Sequence, residues 1–341
     1  MGKYFGTDGV RGVAGADLTC EMAMLIGRGA AAVLTSSTGH KPRILIGKDT
    51  RQSGDMLEAA LTAGLCSVGA DVESLGVVPT PAVAYLVRKY NADAGVVISA
   101  SHNPMEFNGI KIFAGTGYKL PDEVENKIEA YIDNQCAGLK LATGDDVGRV
   151  TCRTDGIKDY TDHLYESING DLSGLNICID CANGASAAAA RQLFPRLGAK
   201  CTFIGVEPDG KNINAGVGST HLDNLEKAVV EGGFDCGIAF DGDADRCLAC
   251  DEKGQEIDGD KIIALLAMNM KEKGCLDGNT AVVTVMSNLG FIKFMESQGI
   301  RTEKTAVGDR YVLENMRENG YAIGGGIVLA PGHDALGGVH M

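Results

Sequence analysis

The chain has 341 residues, of which 45% are hydrophobic, and its formal net charge at pH 7 is -14. This length exceeds one ordinary hydrophobic core, so we expect two or three domains. The negative charge argues against a nucleic acid or an anionic membrane as a partner, because both bind basic surfaces.

Eleven cysteines are spread through apolar, strand-like segments. An odd number of cysteines in a chain of this length is typical of reduced, buried thiols in a cytoplasmic protein. Two Cys-x-x-Cys pairs, Cys178/Cys181 and Cys247/Cys250, lie far apart without the spacing of a zinc ribbon, so buried thiols are favoured over zinc ligands. The chain starts without an apolar signal core and has no apolar run long enough to span a bilayer. We therefore expect a cytoplasmic protein.

Strands and helices alternate in the first part of the chain. The predicted elements are the strand Arg43–Ile46, a helix that starts at Ser53, the strand Asp71–Val77, the helix Pro81–Lys89 and the strand Ala94–Ile98. Leu57, Leu61, Leu65 and Val68 fall on one face of the first helix. Ser53 is expected to be the N-cap of that helix.

The same alternation recurs twice. The second copy has strands at Leu175–Asp180, Lys200–Ile204 and Cys236–Phe240 and helices at Ser186–Leu197 and Leu222–Val230. The third copy has strands at Thr280–Met286, Arg301–Thr305 and Tyr321–Ile323, which ends at a run of glycines, and helices at Phe291–Gln298 and Arg310–Asn319. Such alternation predicts an α/β fold, with ligands bound beyond the carboxyl ends of the strands. We predict three similar α/β/α domains with mixed, largely parallel sheets around a central cleft, spanning residues 1–152, 153–254 and 255–341.

An acidic loop follows the third strand of the second copy. It carries three carboxylates at alternate positions, Asp241, Asp243 and Asp245, and then Arg246. With Glu252 the spacing also matches an EF-hand, but position six of that loop requires Gly and is Arg246, and the flanking segments are predicted strands rather than helices. Three carboxylates beside a cation suit Mg²⁺ shared with a phosphate oxygen, so the phosphate-linked site is favoured.

A serine lies in the corresponding loop of the first copy. Ser101 follows the buried strand directly, and His102 comes next. Their adjacency is poor spacing for a Ser–His general-base pair, and no Gly-x-Ser-x-Gly elbow is present, so hydrolase chemistry is the weaker interpretation. Lys111 brings an ammonium group near the same loop, where it could carry a proton to or from a sugar hydroxyl or pair with phosphate. Together with the acidic loop, Ser101 predicts a phosphoserine site for phosphotransfer with a divalent cation.

Two further Gly-containing loops offer anion-binding groups. One, Gly6–Gly12, adds the hydroxyl of Thr7 and the guanidinium of Arg11 to its backbone N–H groups. The other lies between a strand and a helix N-terminus, a natural anion site, and contains Lys48 and Arg51. Each loop alone is weak evidence, because Gly-rich turns are common.

In this order, the loops resemble those of the α-D-phosphohexomutase superfamily, and the chain is most similar to its bacterial members that act on amino sugars. The segments that carry the resemblance are Phe5–Gly12, Gly47–Gly54, Ile98–Pro104, Asn108–Lys111, Asp180–Ala185, Gly218–Thr220, Ala239–Arg246 and Val307–Tyr311. The resemblance covers roughly residues 1 to 325. It implies the interconversion of glucosamine 6-phosphate and glucosamine 1-phosphate through a 1,6-bisphosphate, in the synthesis of amino-sugar nucleotides and peptidoglycan precursors.

The resemblance also implies a role for each site residue. Ser101 would be the phosphoserine, and Asp241, Asp243 and Asp245 would hold one Mg²⁺ against its phosphate. The remaining catalytic residues would be Arg11 and Arg246, which steady the phosphoryl group, Lys111 as general acid/base, and His102 hydrogen-bonded near the phosphate. Substrate contacts would come from Thr7, Lys48, Arg51 and Arg310. A homodimer is expected, and a glucose or mannose phosphate mutase, a phosphopentomutase or a non-catalytic module that binds metal and sugar phosphate stays as an alternative.

The chain departs from the superfamily near its C-terminus. The sugar-binding loop of the third domain reads Gly-Gly-Glu-Gln-Ser-Gly-His in the family, whereas Gly324-Gly325 is followed here by residues 326–329 with neither the Glu nor the Ser. Residues 330–334 offer no substitute for it, and the fourth domain of the family, with its loop for the non-reacting phosphate, is expected to be absent. Because remote binding energy orients a substrate for reaction, we expect turnover to be strongly impaired.

Overall fold

The structure, a computed structural model, describes residues 2–34, 39–168, 170–328 and 336–339. Within these residues the chain forms three β-sheets of seven, five and four strands, each packed against helices. We refer to the parts of the chain built on them as the first, second and third domains. None of the helices in the described ranges is both long and apolar enough to cross a bilayer.

The first domain is built on the seven-stranded sheet. Its strands are β1 (Phe5–Gly6), β2 (Gly9–Val13), β3 (Arg43–Lys48), β4 (Asp71–Val77), β5 (Ala94–Ile98), β6 (Phe107–Ala114) and β7 (Val150–Cys152). Its helices are α1 (Cys20–Leu34), α2 (Ser53–Ser67), α3 (Thr80–Lys89) and α4 (Asp122–Asp133). The strand order is β1-β2-β6-β5-β3-β4-β7, with β5, β3, β4 and β7 parallel and the other neighbours antiparallel.

The second and third domains are smaller. The second contains α5 (Gly156–Ser167), β8 (Asn176–Asp180), α6 (Ser186–Arg196), β9 (Lys200–Ile204), α7 (Asp223–Gly232), β10 (Cys236–Phe240), β11 (Cys247–Asp251) and β12 (Glu256–Ile257). The third contains α8 (Gly259–Glu272), β13 (Thr280–Thr284), α9 (Leu289–Ser297), β14 (Arg301–Thr305), α10 (Asp309–Asn319), β15 (Ile323–Val328) and β16 (Leu336–Val339). Their strand orders are β12-β11-β10-β8-β9 and β14-β13-β15-β16.

All three sheets contain the same four-stranded unit. In each, the first strand of the repeat lies between the second and third strands, to which it is parallel, and an antiparallel strand flanks the third. These units are β4-β3-β5-β6, β9-β8-β10-β11 and β14-β13-β15-β16. The predicted fold of three similar α/β/α domains with mixed, largely parallel sheets is therefore confirmed.

Each domain closes around apolar side chains on its sheet. In α2 the predicted stripe is confirmed, because Leu57, Leu61 and Leu65 are fully buried, whereas Val68 lies just past the helix end and is half-buried.

The predicted N-cap of α2 is wrong, since Ser53 is the first residue of the helix and Gln52 occupies the cap position. The Ser53 hydroxyl instead accepts a hydrogen bond from Asn108 Nδ2 at 2.9 Å.

The last strand of the third repeat differs from its prediction. We expected it at Tyr321–Ile323, but β15 begins at Ile323 and continues through the glycines that we read as its end. The glycine at position 324 is explained by the close packing of α10 on the strand. A Cβ atom on Gly324 would lie 2.7 Å from both Met316 Sδ and Val312 Cγ1. The expectation for residues 330–334 lies outside the described residues.

Candidate active site

Ser101 is delivered by a wholly buried strand. Every residue of β5 is buried, and the chain then turns so that Ser101 takes a left-handed backbone conformation with φ of 53°. A non-glycine residue in this region is strained by about 1–3 kcal/mol, and such strain concentrates at functional sites. The turn is held by the Ser101 N–H, which donates to Ser99 Oγ at 2.9 Å, and by the Ser99 hydroxyl, which donates to Asp49 Oδ2 at 2.6 Å.

The carbonyl groups of the Ser101 loop are held from two domains. Arg51 Nη2 donates to the backbone oxygens of Ser101 and Asn103 at 3.1 and 2.5 Å. Asn214 Nδ2, from the second domain, donates to the same two oxygens at 2.9 and 3.2 Å. Arg51 also pairs with Asp49, and both side chains are fully buried. Arg51 thus holds the Ser101 loop, and the substrate contact that we predicted for it stays a prediction.

The acidic loop of the second domain meets Ser101 directly. Asp241 and Asp243 are fully buried, and together with Asp245 they offer carboxylate oxygens within 4.8 Å of one another. Ser101 Oγ donates to Asp241 Oδ2 at 2.5 Å and lies 3.4 Å from Asp245 Oδ1. Burial and the other two carboxylates raise the pKa of Asp241 well above its usual value. Such mutual repulsion shows that the loop is built to receive positive charge.

The donor set of this loop fits a divalent cation. Asp243 Oδ1 is buried and has no hydrogen-bond partner among the described residues, which leaves an anionic oxygen available as a ligand. Clustered carboxylate oxygens are the ligands that Mg²⁺ and Ca²⁺ prefer. The EF-hand alternative is wrong, because the loop lies between the strands β10 and β11 and Glu252 is exposed, outside the carboxylate cluster.

Lys111 is buried among carboxylates. Its Nζ lies 2.8 Å from Asp243 Oδ2 and 3.1 Å from both Asp245 Oδ2 and Asp8 Oδ2. Burial alone would lower the pKa of Lys111, but the three carboxylates hold it well above its usual value. Lys111 is therefore an ammonium group in this arrangement. It joins the Thr7-containing loop of the first domain to the acidic loop of the second.

Besides Arg51 Nε, three buried nitrogens on the Thr7-containing loop, the Ser101 loop and the acidic loop have no hydrogen-bond partner among the described residues. They are Arg11 Nε, His102 Nδ1 and Arg246 Nη1. Burial and the charges of Arg246 and Arg11 lower the pKa of His102 to about 4, so the ring is neutral at neutral pH. Unpaired buried polar groups are costly, so three such nitrogens, on His102 and on the two arginines whose charges act on it, indicate a site for an anion with several oxygens.

The remaining predicted residues lie at different distances from this centre. Thr7 lines a cavity of about 210 Å³ beside Arg11. Lys48 Nζ pairs with Asp55 and Glu58 of α2 at 2.6 and 2.5 Å. The structure thus does not bring Lys48 to Ser101, and a substrate contact for it stays a prediction.

Arg310 is likewise engaged away from Ser101. It is the second residue of α10 and pairs with Asp122 and Glu125 of α4 at 2.5 and 3.5 Å and with Glu314 at 3.2 Å. Its side chain joins the third domain to the first. A substrate contact for Arg310 stays a prediction as well.

Some residues of the site were missed at the sequence level. Asp8 accepts from Lys111, Lys119 and Arg11. Burial alone would raise the pKa of Asp8, but these cations hold that pKa well below its usual range. Thr80, at the start of α3, donates to Asp243 Oδ2 at 2.6 Å. Asp8 could have been found, because it lies between Thr7 and Arg11 in a loop that we singled out, whereas Thr80 gave no local signal.

Family models match most of the chain. The models described as phosphoglucomutase/phosphomannomutase, alpha/beta/alpha domains I, II and III match residues 2–137, 158–254 and 258–326. A phosphoglucosamine mutase from Acetivibrio thermocellus is 57% identical over 325 residues, which cover 95% of this chain and 72% of the relative. One from Clostridium tetani is 56% identical over 325 residues, with the same coverage.

A solved structure shows the same fold. The crystal structure of a phosphoglucomutase/phosphomannomutase family protein from Burkholderia thailandensis aligns with a TM-score of 0.80 at 24% identity, covering 96% of this chain and 71% of that one. At this identity, the comparison shows a common fold and nothing more.

Proposed function

Because this chain belongs to the phosphoglucomutase/phosphomannomutase family, we propose that it interconverts glucosamine 6-phosphate and glucosamine 1-phosphate. The support is the identity of 56–57% to relatives named phosphoglucosamine mutase. Ser101 carries the phosphoryl group, and the sugar passes through a bound 1,6-bisphosphate. The free thiols of its eleven cysteines favour a reducing compartment such as the cytoplasm.

One observation carries the proposal. The hydroxyl of Ser101 contacts two carboxylates of the acidic loop, Asp241 and Asp245. The loops that carry Arg11, His102 and Arg246 contribute three buried, unpartnered nitrogens, and both arginines act on the His102 ring beside Ser101. A phosphoryl group on Ser101 would supply oxygens to these nitrogens. Phosphoryl transfer depends mainly on positioning and on stabilising charge, and this site offers both.

Asp241, Asp243 and Asp245, with an oxygen of the phosphoserine, would hold one Mg²⁺. When bound, the ion neutralises charge on the transferring phosphoryl group. In the unphosphorylated chain, the Asp241 carboxylate accepts from the Ser101 hydroxyl and so holds the acidic loop against the Ser101 loop. Arg246 follows them directly, and its backbone N–H donates to Asp241 Oδ1 at 3.1 Å, which holds that carboxylate in place.

Phosphoryl transfer exchanges the phosphorus–oxygen bond to Ser101 for one to the sugar. A hydroxyl oxygen of the sugar monophosphate attacks phosphorus and gives its proton to a base, while the bond from phosphorus to Ser101 Oγ breaks and Oγ takes up a proton. The resulting 1,6-bisphosphate reverses these steps with its other phosphoryl group, so that Ser101 is phosphorylated again. Lys111 lies where the loops meet and is an ammonium group, so it is suited to donate a proton to the leaving oxygen. To act as a base, Lys111 must first release its own proton.

The test is to map phosphate on the purified chain by mass spectrometry. The chain is incubated with Mg²⁺ and glucosamine 1,6-bisphosphate, digested, and compared with the Ser101→Ala variant. We expect phosphate on Ser101, lost when glucosamine 6-phosphate is added, and none in the variant. Glucose and mannose monophosphates, tested in parallel, separate the amino-sugar activity from that of a phosphoglucomutase or phosphomannomutase.

Two outcomes would contradict the proposal. A folded chain that acquires no phosphate on Ser101 would instead be a module that binds metal and sugar phosphate without transfer. Discharge by glucose or mannose monophosphate in preference to glucosamine 6-phosphate would assign a different sugar. The expected homodimer is checked separately, by light scattering of the same preparation.

A further inference from the structure

Thr80 joins the first domain to the acidic loop of the second. It is buried, 6% exposed, and is the first residue of α3. Its backbone N–H donates to the carbonyl oxygen of Asp243 at 2.9 Å, and its hydroxyl donates to Asp243 Oδ2 at 2.6 Å. The first N–H groups of a helix have no partner within the helix, so the acidic loop satisfies one of them. A single residue thus fixes both the backbone and the side chain of Asp243.

The two carboxylate oxygens of Asp243 have different surroundings. Oδ2 accepts from the Thr80 hydroxyl and from Lys111 Nζ, at 2.6 and 2.8 Å. Oδ1 is buried and has no hydrogen-bond partner among the described residues. The whole residue is 0% exposed. The bonds to Oδ2 therefore leave Oδ1 as the free anionic oxygen of this residue.

We propose that Thr80 is a positioning residue that orients Asp243 so that Oδ1 is presented to the divalent cation. This inference rests on the proposed function, in which the acidic loop holds that cation. Residues that hydrogen-bond to a metal ligand fix its orientation, and their loss commonly weakens metal binding by about 10–100-fold. Lys111 also donates to Oδ2, but its ammonium group is shared with Asp245 and Asp8, whereas the Thr80 hydroxyl donates to Asp243.

The hydroxyl of Thr80 can be removed without changing the shape of the side chain. Thr80→Val keeps the branched shape and the backbone hydrogen bond but cannot donate to Oδ2, and Thr80→Ser keeps the hydroxyl. Thr80→Ala removes the hydroxyl without placing a methyl group against the carboxylate, in case the valine does not fold. Thr161→Val is a matched control, because Thr161 is also buried in a helix and its hydroxyl donates to the backbone oxygens of Ile157 and Lys158.

The measurement is Mn²⁺ binding to the metal-free chain, followed by the electron paramagnetic resonance of free Mn²⁺. We expect Thr80→Val and Thr80→Ala to weaken binding by about 10-fold or more, and Thr80→Ser and Thr161→Val to stay within about 3-fold of the wild type. Circular dichroism of each variant reports whether it is folded.

The outcomes separate this inference from the proposed function. Wild-type affinity in a folded Thr80→Val or Thr80→Ala variant overturns the role of Thr80 and leaves the metal site standing. Equal weakening in Thr80→Ser and Thr80→Val also overturns it, because the hydroxyl would then not matter. If the wild type binds no Mn²⁺, or if Asp243→Asn binds as tightly as the wild type, both the metal site and the inference fail.

Discussion

The Ser101 loop depends on a fully buried ion pair rather than on contacts with solvent. Arg51 and Asp49 are both without exposed side-chain area, and burial raises the pKa of Asp49 despite its cationic partner. Arg51 also donates to the carbonyl oxygens of Ser101 and Asn103. The guanidinium group thereby binds both Asp49 and the Ser101 loop, so that loss of the ion pair should also disturb the loop.

We expect Arg51→Met to destabilise the chain by about 3–5 kcal/mol, because it leaves the Asp49 carboxylate buried without its cation. Unfolding in urea, followed by circular dichroism, measures the change. The double variant Arg51→Met/Asp49→Asn should recover part of the loss, since no uncompensated charge then remains. A loss below about 1 kcal/mol for the single variant would show that the pair does not hold the loop.

At the residue level, the sequence singled out the groups that the structure brings together better than the groups that hold them. Ser101, Asp241, Asp243 and Asp245 stand out because each loop carries its signature within a few consecutive positions. The residues that hold them in place do not stand out, because they are distant in the sequence. Thr80 and Asp243, for example, are 163 positions apart. A threonine before a proline reads as an ordinary helix start, and only the folded arrangement shows what its hydroxyl contacts.

The bounds of helices and strands were predictable where the burial of apolar side chains alone determines them. The strands β4, β5, β9, β10 and β14 have the bounds that we predicted. Ala94–Ile98 shows why, since a short apolar run that is buried on both faces has the pattern of a central parallel strand. In β15 the run of glycines concealed the strand, because its signal is the close packing of α10 rather than side-chain hydrophobicity.

The contact between α4 and α10 contains a titratable group. Burial raises the pKa of Glu125 from 4.5 to about 7; Arg310 opposes the shift, while Asp122 adds to it. Between pH 4.5 and 7 the folded chain keeps a proton on Glu125 that the unfolded chain has released. Stability should therefore fall as pH rises through this window and level off above it.

We expect Glu125→Gln to remove this dependence and to stabilise the chain at pH 7.5 by on the order of 1–2 kcal/mol, after allowance for solvent screening. Thermal unfolding between pH 5 and 8 measures the effect. Glu123→Gln, an exposed substitution on the same helix, is the control. A variant whose profile parallels that of the wild type would rule out Glu125 as the group responsible.

Across the whole molecule, the candidate site exists only where domains meet. The first domain supplies Ser101 and Lys111, and the second supplies the acidic loop and Asn214. The third domain reaches this centre through an ionic chain in which Lys111 and Lys119 share Asp8, and Lys119 Nζ then contacts Asp309 of α10 at 2.5 Å. The position of α10 is thereby linked to the charges around Lys111 and the acidic loop.

This link predicts that Lys119 and Asp309 are energetically coupled. Lys119→Met should loosen the attachment of α10 and speed hydrogen exchange in residues 309–319 by about 3–10-fold, whereas α2 should exchange as in the wild type. Asp309→Asn should act in the same direction, and a double-mutant cycle should give a coupling of about 0.5–3 kcal/mol. Lys127→Met, an exposed change on α4, should leave exchange in α10 unaltered. If the two single changes are strictly additive, Lys119 does not bridge the domains, and α10 is held by Arg310 with Asp122 and Glu125 instead.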